Sequence, residues 1–128
     1  MDPAEEAVLS RDRALLERAF GGDGMRRLLV PCDLLDAAQV QGAIDQALQR
    51  FGRIDVLCHI AGGFRMGEAV HETSNATWDF LFDLNARTLL HAARAVVPAM
   101  LRQGGGKVVN VGAFSAQRGL AAMGAYTA

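Results

Sequence analysis

Ile54-Asp55-Val56-Leu57-Cys58-His59-Ile60-Ala61-Gly62-Gly63 is the stretch on which the fold is read. From Ile54 to Ile60 only Asp55 and His59 are polar, and an apolar run of this length without alternation suits a buried strand of a parallel sheet. Ala61-Gly62-Gly63 then makes a turn of small residues that lets another group approach the backbone closely. Upstream, Asp36 and Gln39 stand at the N-cap and third position of a helix. Val40, Ile44, Ala47, Leu48 and Phe51 give that helix one apolar stripe, and Gly52 stands where a helix-ending glycine belongs. Downstream, residues 64–73 read as loop. A long helix is expected from about Asn75 to Arg102, capped by Thr73 or Ser74. Its apolar positions include Phe80, Leu81, Leu84, Leu89, Ala92, Ala95, Val96 and Met100, with a kink or weak point at Pro98. Gly104-Gly105-Gly106 ends it, Lys107 to Val111 forms another buried strand, and Gly112-Ala113 starts a loop.

Further out, Arg26 to Pro31 reads as a short strand stopped by Pro31. Residues 2–20 read as a helix, with Asp2, Pro3 and Glu5 in a capping-box arrangement, Val8, Leu15, Leu16 and Ala19 near one face, and Gly21-Gly22 at its end. A rival reading makes Ala7-Val8-Leu9 the end of a strand, with the helix starting after Ser10; propensity does not choose between them. Helical crossovers of these lengths join parallel strands, so the class is α/β, with helices packed on a sheet in a single domain over residues 1–128.

Composition narrows the function. The chain has 128 residues, 51% hydrophobic and 21% charged, which is ordinary for a globular domain. Thirteen basic and fourteen acidic residues nearly cancel, and no block of like charge marks a nucleic-acid or membrane surface. No apolar run reaches the ~18 residues of a membrane span, and the acidic start Met1-Asp2-Pro3-Ala4-Glu5-Glu6 is no secretory signal. Cys32 and Cys58 make no metal or redox spacing and read as reduced core thiols of a cytoplasmic protein. His59, His71 and His91 share no ligand spacing, so no metal is expected.

In an open α/β sheet, ligands bind outside the carboxyl ends of the strands. The segments after the expected strands are Cys32-Asp33-Leu34, His59-Ile60-Ala61-Gly62-Gly63 and Asn110-Val111-Gly112-Ala113. Asp83-Leu84-Asn85-Ala86 adds a polar Asn inside the long helix, and the chain finishes on Tyr126-Thr127-Ala128. This set resembles the short-chain dehydrogenase/reductase family over roughly residues 8–128. Cys32-Asp33-Leu34 is similar to the family's Asp-containing turn beside adenine, and Ile54 to Gly62 to its D-x-L-V-N-N-A-G strand and turn. Asn85 matches its active-site Asn, Val108 to Ala113 its strand leading to the catalytic Ser, and Tyr126-Thr127-Ala128 the start of Y-x-A-S-K. Each motif alone is unspecific; their order and spacing carry the resemblance.

The resemblance implies a partial Rossmann-type, doubly wound parallel sheet that keeps family strands three to five of the order 3-2-1-4-5-6-7. The family's first strand and Gly-rich turn have no counterpart, and the Lys four residues after the Tyr would lie beyond Ala128. His59-Ile60 stands in place of Asn-Asn. Ala113 stands thirteen residues before Tyr126, where the family has Ser; Ser115 is the nearest hydroxyl and is out of register. At that position, and in Ala61-Gly62-Gly63-Phe64, the chain resembles the dihydropteridine reductases.

By that resemblance the protein is part of an NAD(P)-dependent oxidoreductase that moves hydride between nicotinamide and a small carbonyl or alcohol substrate. The alternative is an inactive remnant that associates with an intact homologue. The implied catalytic residues are Tyr126, as acid/base, Asn85, holding a water, and Ser115 in place of the missing Ser. The implied residues beside NAD or NADP are Asp33, Leu34, Ala61, Gly62, Gly63 and Val111. Asp33 reads equally as an acceptor for adenine or a turn aspartate, Arg11 as a solvated helix charge, and Tyr126, on the alternative, as a frayed end. Trp78, Phe80 and Phe82 are expected in the core or at a subunit interface, as in homo-oligomeric relatives. Without strands one and two and the phosphate-holding turn, residues 1–128 alone are expected to bind nucleotide weakly or not at all.

Overall fold

The computed structural model describes residues 3–21 and 24–128, with side chains from residue 11 onward. Helix α1, Pro3–Phe20, settles the N-terminus in favour of the helix: residues 7–9 are helical, not strand. The Asp2 cap and Gly22 lie outside the described residues. Leu15 and Phe20 are about half exposed, because apolar residues recur too sparsely along α1 to form a continuous face.

Helix α2, Ala37–Phe51, forms as its ends dictate. The Asp36 carboxylate accepts from the backbone N–H of Ala38 (2.8 Å) and Gln39 (3.2 Å), and the Gln39 amide returns to it at 3.1 Å. Gly52, at φ 79°, adopts the left-handed turn that closes the helix, its N–H on the Leu48 carbonyl. The two backbone N–H bonds hold the Asp36 carboxyl below its usual range. A depressed carboxyl stabilises the fold above its unfolded pKa, and that contribution is lost as pH falls through the folded value. Asp36→Ala is therefore expected to lower the Tm at neutral pH, with the gap from the native chain closing in acid. Thermal melts across the acid range check this; a gap independent of pH would show that the carboxylate charge plays no part.

Strands β1, Val56–His59, and β2, Lys107–Asn110, pair in parallel, with Val56 opposite Lys107 and His59 opposite Asn110. Lys107 N–H on Asp55 O (2.9 Å) and Val111 N–H on His59 O (3.1 Å) extend the ladder at each end. The crossover between them is helix α3, Asn75–Phe82, a wide turn of π-helix at Asp83–Arg87, and helix α4, Thr88–Arg102. Helix α4 packs on α2 and β1. The core lies along it: Ala92, Ala95, Val96, Ala99 and Met100 are buried, with Leu81 of α3 and Val40 of α2.

Several expectations are corrected. Arg26 to Pro31 is not a strand: Gly24 and Arg27 form one isolated antiparallel bridge, and residues 28–33 join no ladder. A strand exists only against a partner, and among the described residues β1 pairs on one side alone. Neither cysteine is a core thiol: Cys32 is half-buried and Cys58 exposed. Alternate residues of β1 point to opposite faces, and Val56, Cys58 and Ile60 lie on the face away from α4, with Val56 52% and Ile60 67% exposed.

Pro98 does not break the long helix, since α4 runs through it while buried neighbours Val96, Ala99 and Met100 hold the backbone. Residues 64–73 contain a short 3₁₀ turn at Val70–Glu72. Trp78, Phe80 and Phe82 lie outside the core: Trp78 stacks on Phe82 with ring centroids 5.4 Å apart, and the Arg65 guanidinium lies 4.1 Å from the Phe80 ring centre. No helix of the described residues is long and apolar enough to cross a membrane.

Candidate active site

Parallel strands place both carboxyl ends on one side of the sheet, so Ile60 to Phe64 leaves β1 beside Val111 to Ala113 leaving β2. Between them opens a cleft of about 450 Å³. Gly62, Gly63, Asn85, Val111 and Tyr126 line it, with Ile60, Ala61 and Phe64 on one wall and Gly112, Ala113 and Ala116 on the other.

The Asn85 side chain lies against the turn that follows β1. Its Oδ1 accepts the Gly63 N–H at 3.0 Å, and its Nδ2 donates to the Gly63 carbonyl at 3.0 Å and to the Leu81 carbonyl at 2.9 Å. The amide thus pairs with Gly63 as a neighbouring strand would. Closeness explains the glycines: a Cβ on Gly62 would lie 2.8 Å from Asn85 Oδ1, and one on Gly63 2.7 Å from Leu84 Cδ2. The Gln103 amide makes the same paired contact with the N–H and carbonyl of Ile54, so side-chain amides from the middle and the end of the crossover grip the two ends of the β1 segment.

Tyr126 is placed by tertiary contacts. Gly67 N–H bonds the Ala122 carbonyl at 3.0 Å, Glu68 bridges Met123, and the short helix α5, Gly124–Thr127, carries the tyrosine into the cleft. Its ring packs on Phe64 with centroids 5.7 Å apart, so the frayed-end reading does not describe this arrangement. Glu68 also accepts from the Ser74 N–H (3.0 Å), the Thr77 hydroxyl (3.1 Å) and the Ser74 hydroxyl (3.3 Å) at the start of α3. These bonds, led by the backbone one, hold its carboxyl below the usual range. Ala113 lines the cleft. Ser115 lies half-buried in the 3₁₀ turn Phe114–Gln117 and is not one of the lining residues.

Asp33 and Leu34 lie outside the cleft, on the turn entering α2. Asp33 Oδ1 accepts the Leu35 N–H at 2.8 Å, a turn role, while the residue stays exposed. His91 Nδ1 meets the Leu34 carbonyl at 3.0 Å and ties this turn to α4. Arg11 is exposed beside Asp12. His59 meets Thr88, and His71 lies exposed beside Glu72. Among the described residues no three metal-binding side chains gather.

Sequence reasoning missed Thr88, Glu68 and the tether made by His91. Glu68 alone left a trace, standing just before the Thr73-Ser74 cap.

The profile of the family described as short chain dehydrogenase matches residues 5–128. The chain belongs to the short-chain dehydrogenase family. It is 38% identical over 101 residues to D-threitol dehydrogenase of Mycolicibacterium smegmatis, covering 79% of this chain and 38% of that relative. It is 35% identical over 102 residues to 2-(R)-hydroxypropyl-CoM dehydrogenase of Xanthobacter autotrophicus, covering 78% and 41%. The chain therefore spans about two-fifths of the length of these curated relatives. Among solved structures, a short-chain dehydrogenase from Streptomyces avermitilis superposes with a TM-score of 0.75 at 30% identity, over 91% of this chain and 42% of that one. ElxO with NADP bound superposes at 0.81 and 20% identity, over 91% and 47%, a likeness of fold alone. The architecture is a partial Rossmann-type α/β fold within the short-chain dehydrogenase family.

Proposed function

We propose that this chain carries the nicotinamide-facing part of an NAD(P)-dependent oxidoreductase site, acting on a carbonyl or alcohol, with Tyr126 as the proton donor and acceptor. The observation that carries the reading is that Tyr126 bears the one side-chain hydroxyl among the residues lining the cleft at the strands' carboxyl ends. The cleft suits a flat ring. Its walls are apolar, Gly62 and Gly63 present bare backbone, and nothing lies within 4 Å of where a Gly112 Cβ would stand. Ala61, Gly62, Gly63 and Val111 would hold the nicotinamide side, with Asn85 fixing the backbone of Gly63. Asp33 keeps an exposed carboxylate for an adenine amino group, with Leu34 beside it.

The described residues supply no phosphate cradle of the glycine-turn kind: α2 starts on Asp36 and α3 on Ser74. A bound coenzyme supplies or accepts the hydride. The protein's part is to hold the phenol where an alkoxide oxygen develops and to pass it a proton. With Ala113 where the family has Ser, that oxygen loses one hydroxyl donor, a loss that ordinarily costs ~3–4 kcal/mol in the transition state.

Titration of the isotope-labelled chain with NADH and NADPH, read by NMR, tests this. Saturable shifts at millimolar coenzyme are expected at Gly62, Gly63, Val111 and the ring of Tyr126, the one tyrosine in the chain. Unmoved resonances, or shifts confined to other segments, would overturn the reading.

A further inference from the structure

The π turn that carries Asn85 is held from inside the protein. Its widening is visible where Thr88 N–H reaches back five residues to the Asp83 carbonyl. The Leu84 carbonyl, which an ordinary helix would pair with that N–H, instead accepts the Thr88 hydroxyl at 2.9 Å. Thr88 is 2% exposed, so this hydroxyl has no water to fall back on. On its other side stands His59, itself 6% exposed, with Nε2 at 3.2 Å. A hydroxyl has one proton to give. With it committed to Leu84, the proton shared with His59 belongs to Nε2, and the imidazole donates.

We propose that His59 and Thr88 are positioning residues for the cleft. Together they fix the wide turn at Asp83–Arg87 and so set where Asn85 grips Gly63. The path runs from His59 Nε2–H to Thr88 Oγ1, to the Leu84 carbonyl, and along that turn to the Asn85 amide. Leu84 also lies against the glycine turn directly, since its Cδ2 stands 2.7 Å from where a Gly63 Cβ would be. His59 itself ends β1, so the relay joins the strand end to the helix turn beneath the same glycines.

Amide hydrogen exchange tests this in the full chain. Thr88→Val keeps shape but removes the hydroxyl, and it is expected to speed exchange at Gly63 N–H about tenfold relative to Lys107 and Val111, whose N–H groups belong to the sheet. His59→Leu is expected to act in the same direction. Thr88→Ser and His59→Gln, which return a hydroxyl and an Nε2–H, are expected to restore native protection. Equal acceleration at all three amides, or unchanged exchange at Gly63 in Thr88→Val, would overturn the proposal. The exchange readout stands whether or not coenzyme binds. A lost coenzyme-induced shift at Gly63 in the same variants would add the functional consequence, which rests on the proposed site.

Discussion

On the acid/base role proposed for it, Tyr126→Phe is expected to lower turnover of a carbonyl substrate by about 10²–10⁴-fold, the range for loss of a positioned general acid. The expectation follows from what the cleft lacks. No charged side chain lines it, the Asn85 amide is committed to Gly63 and Leu81, and Ala113 offers no hydroxyl. A proton reaching a developing alkoxide there must come from the phenol or from solvent. The Phe ring keeps the contact with Phe64, so the loss should fall on kcat and leave KM and the Tm near their native values. Steady-state kinetics with parallel melting curves read both. Turnover within about tenfold of native would remove Tyr126 from the acid/base role. A loss carried by KM would recast it as a binding residue.

How much of this could be read from the residues depends on how local each cause is. Helix α2 was legible because its signals lie within the helix and its two caps: Asp36 satisfies the first N–H groups and Gly52 supplies the left-handed turn. The strand beginning near Ile54 was legible because a sheet that takes helical crossovers demands an apolar run. The segment Arg26 to Pro31 carries a similar local pattern, yet no pairing follows, since a ladder is a property of two segments and one pattern cannot announce its partner. The cleft was legible as a set of residue types: Ala61, Gly62, Gly63, Asn85, Val111 and Tyr126 do converge.

What each of those residues does was less accessible. Asn85 in mid-helix reads as a water ligand or as an exposed or locally back-bonded side chain; its bond to Leu81 four residues back is of that local kind, whereas its two bonds with Gly63 depend on a residue 22 positions earlier. Thr88 is invisible for a related reason: a buried threonine has no period, and its partners Leu84 and His59 are assembled by the wide turn itself.

The Asn85 amide makes an unusual demand, and a substitution pair can separate its parts. It gives one acceptor to Gly63 N–H and two donors to the carbonyls of Gly63 and Leu81. Asn85→Ala removes all three bonds. Because the contacts with Gly63 lie near the surface, water can replace part of them, and the expected loss is about 1–2 kcal/mol of stability. Asn85→Asp is nearly the same shape, so packing alone would make it the milder change. Electrostatics decide otherwise. An ionised carboxylate keeps the bond to Gly63 N–H but turns an oxygen toward two carbonyl oxygens, where the amide had placed its N–H groups. The aspartate variant is therefore expected to be less stable than the alanine variant at neutral pH and to expose Gly63 N–H to faster exchange. The neutral acid can donate once, so folding should favour it and raise the carboxyl above its unfolded pKa. With that sign the penalty is full once the group is ionised and fades as pH falls through the raised value, so the order of the two variants should invert in acid. Melting temperatures of both variants across the carboxylate range decide the matter. An aspartate variant as stable as native at neutral pH would mean that the amide's donors are not what hold the turn.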